Sequence, residues 1–160
     1  MDLTSPLSED LLFDAARRGD VATLRELLAT GLDVNMTNEK GFSALVLAAY
    51  ENHLDATKFL LEAGAVPNGQ DLSGNTALMG VGFKGYPEMA RLLIQHGASL
   101  DHQNATGSTA LMFAAMFGRN NLVQLLLEAG ADRTIADARG FTAGGLALQK
   151  GNEEALALLS

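Results

Sequence analysis

The chain contains no cysteine among its 160 residues. This absence excludes a disulfide framework, a zinc site built on thiolates and a cysteine nucleophile. Basic residues are also scarce, because 11 lysines and arginines stand against 19 acidic residues and give a net charge of -8. Proteins bind nucleic acids and anionic membranes largely through Lys and Arg. We therefore predict no nucleic acid partner and no membrane partner.

Long apolar runs are missing too. No segment approaches the roughly 20 apolar residues that span a bilayer, and the N-terminus lacks the pattern of a secretory signal. These absences predict a soluble cytoplasmic protein, with a leader removed earlier as the alternative. Hydrophobic residues make up 48% of the chain, which is enough for one substantial core or a series of small ones. We predict a flexible N-terminus over residues 1–6 and a single domain over residues 7–160.

Glycine recurs in three series with a period of 33 residues. The series are Gly41, Gly74, Gly107 and Gly140; Gly31, Gly64, Gly97 and Gly130; and Gly19, Gly85, Gly118 and Gly151. Asn52 stands at the missing member of the third series, and Asn is the next best residue after Gly for a left-handed backbone. Three series in phase predict a repeated structural unit.

Residues 71–103 show the physical logic of one unit. Asp71 and Gly74 are the preferred ends of a type I turn, and Thr76 is suited to cap a helix from Ala77 to about Phe83. Ser43, Thr109 and Thr142 hold the place of Thr76 in the other copies.

The second helix of this unit is predicted from Glu88 to about His96. Gly85 allows the chain to reverse before it, and Pro87 suits a first helical turn. Its apolar stripe consists of Met89, Leu92, Leu93 and Ile94. Since one helix pair cannot bury both of its apolar faces, the units are predicted to stack.

Segments 107–115 (GSTALMFAA) and 125–132 (LLLEAGAD) closely match the repeated unit of the ankyrin family, which the chain resembles over about residues 7–160. The resemblance implies an all-α ankyrin repeat solenoid with β-turn fingers. It implies about five helix-turn-helix units, three full central repeats between N- and C-terminal capping units. Their predicted bounds are about 7–37, 38–70, 71–103, 104–136 and 137–160.

The chain departs from the family pattern at two positions of the unit. Alanine replaces the usual proline at Ala44, Ala77, Ala110 and Ala143, and the usual histidine is replaced at Val46, Met79, Met112 and Gly145. We expect the hydrogen bonds of that histidine to be absent or replaced. At the C-terminus, Leu156, Leu158 and Leu159 are predicted to pack inward in a monomer. The alternative is that they form an exposed apolar end through which the protein self-associates weakly.

Residues Gly80 to Gly85 match the dinucleotide fingerprint G-x-G-x-x-G, but they follow a helix cap instead of a strand, so no cofactor is predicted. Gly80 and Gly82 each weaken a helix interior by about 1 kcal/mol, and the third unit is therefore predicted to be the softest. In one interpretation these two glycines reflect close packing or neutral sequence drift. In the other they form a hinge.

Catalysis has no evident site in this sequence. His53, His96 and His102 show no spacing of four residues, and no two carboxylates are placed as an acid–base pair. We predict no metal site and no enzyme activity.

The resemblance instead implies binding of another protein by the fingers and the first helices, on the concave side of the array. The stacked units place the residues at the ends of the first helices in one row. Aromatic and apolar residues lie at the centre of that row and charges at its ends, as in protein interfaces. The predicted partner-binding residues are Phe42, Tyr50, Glu51, Leu72, Asn75, Phe83, Lys84, Ser108, Met116, Phe117, Phe141 and Lys150. Phe83 and Phe117 are the predicted anchors, while Met116 is assigned equally to surface and core.

Two functions follow from this surface. The first is a non-catalytic protein-interaction module, similar to small bacterial members of the family. The alternative is a regulatory protein that binds a small molecule or peptide, with the glycine-rich third unit as a soft element. Saturable stabilisation by a ligand without another macromolecule would favour the alternative.

Overall fold

A computed structural model describes residues 6–160, and in that part of the chain ten α-helices follow one another in five pairs. The pairs are α1 (Pro6–Arg18) with α2 (Val21–Ala29), α3 (Ala44–Tyr50) with α4 (Leu54–Glu62), α5 (Ala77–Lys84) with α6 (Pro87–Gln95), α7 (Ala110–Met116) with α8 (Asn120–Glu128), and α9 (Ala143–Gln149) with α10 (Glu153–Leu159). Of the predicted flexible segment, residues 1–5 lie outside the described part, and α1 begins at Pro6.

Four of the first helices begin at the predicted caps. The hydroxyls of Ser43, Thr76, Thr109 and Thr142 each accept a hydrogen bond from the backbone N–H three residues later, at 3.2–3.4 Å. These bonds satisfy amide groups that the first turn of a helix leaves without partners. In the third unit the observed helices differ from the predicted bounds by one residue at three ends.

The reversal between paired helices uses a left-handed residue, as predicted from the third glycine series. Asn52 has φ +61°, the one positive value of a non-glycine residue in the described chain. The residue after the reversal then bonds to the preceding unit. His53 Nε2 lies 2.7 Å from the carbonyl oxygen of Arg17, and Arg119 Nε donates to the carbonyl of Phe83 at 3.0 Å. Side chains therefore join neighbouring units at the tight connections.

The helices form two layers that share one continuous core. First helices pack against first helices along the chain, and second helices against second helices. Leucines at a 33-residue spacing fill both layers and are at most 7% exposed. They are Leu12, Leu45, Leu78 and Leu111 in the first layer, and Leu27, Leu60, Leu93, Leu126 and Leu159 in the second. The predicted all-α repeat array is confirmed.

Turns before the first helices are held by a short polar side chain at their first position. Asp71 Oδ1 accepts the amides of Ser73 and Asn75 at 2.8 and 2.9 Å. Asn38, Asn104 and Asp137 accept equivalent bonds. These bonds hold each turn locally, although the following helix lacks the family histidine.

Successive turns also bond to one another. The amides of Leu72, Ala105 and Ala138 donate to carbonyls of the preceding turn at 3.3, 3.0 and 2.9 Å. His102 contributes a further bond across the stack, since its Nε2 lies 3.1 Å from the carbonyl oxygen of Gly74. We call these four turns (residues 38–41, 71–74, 104–107 and 137–140) the fingers.

The final leucines pack inward as predicted. Leu159 is 7% exposed, and Leu156 and Leu158 are partly buried against the core. Leu148 of α9 is instead 66% exposed. No helix within residues 6–160 has both the length and the apolar character required to cross a membrane.

Asp20 gives the fold a dependence on pH at the start of α2. Its carboxylate accepts hydrogen bonds from the hydroxyl of Thr23 at 2.7 Å and from the amide of Thr23 at 3.1 Å, and these bonds lower the pKa of Asp20 below its ordinary value. A lowered folded-state pKa stabilises the fold above the unfolded-state pKa of about 3.9, and this stabilisation is lost as the pH falls through the folded-state value.

We expect Asp20→Asn to isolate this effect, because Asn is an equally good N-cap residue without a titrating charge. The wild-type Tm exceeds that of the variant at neutral pH, and the two values converge as the pH falls below about 3.9. Thermal unfolding followed by circular dichroism measures both proteins across this range. A gap in Tm that stays constant with pH would contradict the assignment.

Candidate recognition surface

Three aromatic side chains form a row across consecutive units, at the C-terminal ends of the first helices. The rings of Tyr50 and Phe83 are nearly parallel, with centroids 6.4 Å apart, and the ring of Phe117 meets Phe83 edge-on at 4.6 Å. Tyr50 is 36% exposed and Phe117 is 44% exposed, while Phe83 between them is half-buried. We call Tyr50, Phe83 and Phe117 the aromatic row.

A fourth ring, that of Phe113, packs against the row from the side of the core. Phe113, one helical turn before Phe117, stacks on it with centroids 6.4 Å apart and is half-buried against the core. Because the rings contact one another, their rotamers are restricted before any partner arrives. Restricted aromatic side chains lose little conformational entropy on binding, which suits them to act as anchors.

The row borders a groove of about 470 Å³ between α3 and α5. Its apolar lining includes Phe42, Val46, Tyr50, Phe83 and Phe113. Polar residues at its edges are Arg17, Glu51, Asp71, Asn75 and Thr76. A mostly apolar hollow with a few polar groups at its rim is the usual composition of a binding site.

Charges surround the aromatic row. Lys84 Nζ lies 4.7 Å from the centre of the Tyr50 ring, close enough for attraction between the cation and the ring face. Glu51 and Lys150, both in the predicted partner-binding set, are exposed at the ends of α3 and α9. Arg139 lies over the half-buried ring of Phe141 at 5.0 Å in the last finger.

The remaining predicted residues have diverse environments. Leu72 projects from its finger with 79% of its side chain exposed, whereas Met116 is half-buried against the core. Asn75 accepts a hydrogen bond from Asn104 at 2.8 Å and bonds to Asp71, so it links two fingers as well as lining the groove. Ser108 is only 8% exposed, and its hydroxyl lies 3.1 Å from that of Thr106. Its contacts therefore support the finger, and the proposed contact surface below omits it.

Arg17, Val46 and Phe113 belong to the groove although the predicted partner-binding set omits them. Phe113 occupies the repeat position of Leu47, Gly80 and Leu146. Comparing that position across the five units shows three large apolar side chains, one glycine and, in the first unit, Asp14. This comparison is a sequence signal that locates the groove.

The fingerprint-like residues 80–85 lie in α5 and its cap, and the two extra glycines have different surroundings. A Cβ atom on Gly82 would lie 2.8 Å from the carbonyl oxygen of Ala110, at the contact of α5 with α7. A Cβ atom on Gly80 would meet only the side chain of Tyr50, at 3.2 Å. Close packing of backbones therefore accounts for Gly82, while Gly80 lets the Tyr50 ring lie against α5 and lines the groove beside it.

The described residues 6–160 contain no group of three or more His, Asp or Glu side chains that could hold a metal ion. What the groove offers is apolar contact, aromatic faces and isolated charges. Such groups bind and orient a ligand.

Helix pairs that stack through a shared core, with fingers beside their first helices, define a helical repeat protein. A family model for three copies of the ankyrin repeat matches residues 12–104 and again residues 80–160. The chain belongs to the ankyrin repeat family. Ankyrin repeats are in general protein–protein interaction modules, and the family is typically non-catalytic.

Two relatives share parts of this array. An ankyrin repeat protein of Pseudomonas aeruginosa is 47% identical over 47 residues, which cover 29% of this chain and 28% of that protein. The ankyrin repeat protein nuc-2 of Neurospora crassa is 44% identical over 52 residues, which cover 32% of this chain and 5% of nuc-2. The matches thus span less than a third of either relative.

Proposed function

We propose that the chain is a non-catalytic module that binds another protein through its fingers and the ends of its first helices. The aromatic row carries this proposal. Tyr50 and Phe117 are 36% and 44% exposed while contacting Phe83, so the row presents adjoining aromatic surface that a partner would remove from water.

Several neighbouring residues extend this proposed contact surface. Leu72 and Phe42 contribute apolar area on the finger side, and Lys84, Glu51 and Lys150 supply charges around the row. An aromatic centre with a charged rim is the composition expected of a protein interface with a few dominant anchors. The proposal includes a monomeric array, a cytoplasmic location and a bacterial source, and the Pseudomonas relative supports the last of these.

The test is affinity capture from the native cell lysate with a double variant, Phe83→Ser and Phe117→Ser. We expect capture of the partner to fall about tenfold or more, because buried aromatic anchors dominate the energetics of interfaces. Helical content and Tm remain nearly unchanged, since both rings lie at the surface ends of their helices. Mass spectrometry identifies the retained protein, and circular dichroism measures the fold.

A matched control changes two exposed apolar residues away from the aromatic row. Leu54 and Val66 are 39% and 53% exposed, at the start of α4 and in the loop after it. The Leu54→Ser and Val66→Ser double variant retains the partner. Equal capture by both double variants and by the wild type would refute the proposed surface, and unfolding of the Phe83/Phe117 variant would assign those rings to the core.

A further inference from the structure

The groove beside the aromatic row is lined by a glycine at a repeat position where the other units have a side chain. Leu47, Phe113 and Leu146 occupy the same repeat position in α3, α7 and α9, and each packs in or against the core. Gly80 occupies that position in α5. Gly80 lines the hollow of about 470 Å³ together with Tyr50, Phe83 and Phe113.

The packing of the backbone does not require glycine at this position. The nearest atoms to a Cβ atom on Gly80 belong to the Tyr50 ring, at 3.2 and 3.7 Å, and this ring lies at the exposed end of α3. Gly82, two residues later, abuts the backbone of Ala110. Glycine weakens a helix interior, so Gly80 lowers helix stability at a position where a side chain would press only on the movable ring of Tyr50. Gly80 itself lines the groove without filling it.

Arg17 is the charge of the groove's lining that can pair with an anion. Arg17 lines the groove, and its guanidinium forms no ion pair with another residue of the described range 6–160. Lys84 lies over the Tyr50 ring and adds a second cation close to the groove. Glu51 and Asp71 are the carboxylates of the lining, and that of Asp71 already accepts hydrogen bonds within its own finger.

The shape favours a segment of chain over a separate small molecule. A second groove of about 910 Å³ shares Arg17, Phe42 and Leu47 with the first, so the two are continuous along the array. A polypeptide that places one side chain in the first groove has a path for its backbone to continue into the second. Four carboxylates line that second groove against two cations, and they disfavour further acidic residues there. They are Glu9, Asp10, Asp14 and Glu39, with Arg17 and Lys40 as the cations.

We propose that the groove at Gly80 receives one large apolar side chain of the partner protein, of about the size of leucine, directly followed by an acidic residue whose carboxylate pairs with Arg17. This inference rests on the proposed function and specifies which feature of the partner is recognised. Gly80 lines the space, the rings of Tyr50 and Phe83 form its walls, and Arg17 distinguishes an acidic neighbour from a neutral one.

Blocked dipeptides test this selectivity without knowledge of the partner. Acetyl-Leu-Glu-amide, acetyl-Leu-Gln-amide and acetyl-Ser-Glu-amide are titrated into the ¹⁵N-labelled protein, and the backbone amide signals of Gly80 and Phe83 are followed by NMR. We expect Leu-Glu to bind about two- to fivefold more tightly than Leu-Gln, as for a pair exposed to solvent. Ser-Glu causes no saturable shift, because it lacks the apolar side chain.

Two substitutions assign the effect to the groove. Gly80→Leu restores the side chain found at Leu47 and Leu146, and we expect it to abolish Leu-Glu binding while the Tm stays equal or rises. Gln124→Leu, which adds the same side chain at an exposed position of α8, leaves binding unchanged. Arg17→Gln makes Leu-Glu and Leu-Gln bind equally.

Binding of Leu-Glu by Gly80→Leu, saturable binding of Ser-Glu, or a preference for Glu that survives Arg17→Gln would each overturn the proposal. Capture of a partner protein separates this result from the proposed function. If Gly80→Leu captures the partner as well as the wild type while the Phe83/Phe117 variant does not, the groove assignment is wrong and the proposed function stands. If Leu-Glu binds selectively but the wild type captures no protein, the proposed function fails and with it the assignment of the occupant to a protein.

Discussion

Replacing Gly107 by alanine is expected to lower the free energy of unfolding by about 3 kcal/mol, while the same change at Gly140 lowers it by about 1 kcal/mol. Both glycines end a finger, with φ +77° and +87°. Alanine in this left-handed region costs about 1–2 kcal/mol at either site. The additional loss at Gly107 arises because its Cβ would lie 2.8 Å from the backbone nitrogen of Ala138 in the next finger, whereas the position at Gly140 has no neighbour within 4 Å.

The comparison therefore isolates contacts between fingers from backbone strain within a finger. Urea unfolding of the wild type and both variants, followed by circular dichroism, gives the transition midpoints and slopes. A common slope shows that the variants unfold in the same cooperative transition as the wild type, which a repeat array does not guarantee. Equal losses in the two variants would mean that stacked fingers contribute nothing beyond their own conformations.

Local features of the sequence were sufficient to predict much of this architecture. The cap residues Ser43, Thr76, Thr109 and Thr142 act within three residues of themselves, so their role is readable without knowledge of any neighbour. Asn52 was readable from the period instead, because its left-handed φ follows from its place in a glycine series that repeats every 33 residues. The buried leucines repeat every 33 residues because each unit covers the same face of the next.

Contacts between units were much harder to predict. The side chains of His53 and Arg119 bond to the backbone carbonyls of Arg17 and Phe83, each 36 residues earlier in the chain. Because every residue has a backbone carbonyl, the identity of the acceptor residue gives no sign of the pairing. Ser108 illustrates the same limit from the other side. Its sequence position suggests an accessible finger residue, but the surroundings that bury it come from the stacked array.

The candidate surface also has one part that the sequence predicts and one part that it does not. The ends of the first helices were predictable as a row, and the structure brings the rings of Tyr50, Phe83 and Phe117 into contact. The groove was not predicted. A glycine within a helix was interpreted through its effect on helix stability, and the sequence alone does not show whether the space beside it is empty. The groove depends on the side chains that surround Gly80, and these come from different helices.

The two extra glycines of α5 are therefore expected to respond in opposite directions to alanine. Gly82→Ala lowers the free energy of unfolding by about 1–2 kcal/mol, because a clash with the carbonyl of Ala110 outweighs the gain in helix propensity. Gly80→Ala raises it by about 0.5–1 kcal/mol, since the Tyr50 ring has only to move by a few tenths of an ångström. Equilibrium urea unfolding of both variants measures the difference.

This pair also decides between the two interpretations of the glycine-rich helix. If close packing explains Gly82, its alanine variant alone is destabilised, and hydrogen exchange speeds up at the contact between α5 and α7, where the helices are forced apart. If Gly82 is a hinge, the alanine variant is stabilised and exchange in α5 slows. Stabilisation of both variants would contradict the packing account, because the 2.8 Å approach to Ala110 leaves no room for an added methyl group in the present arrangement.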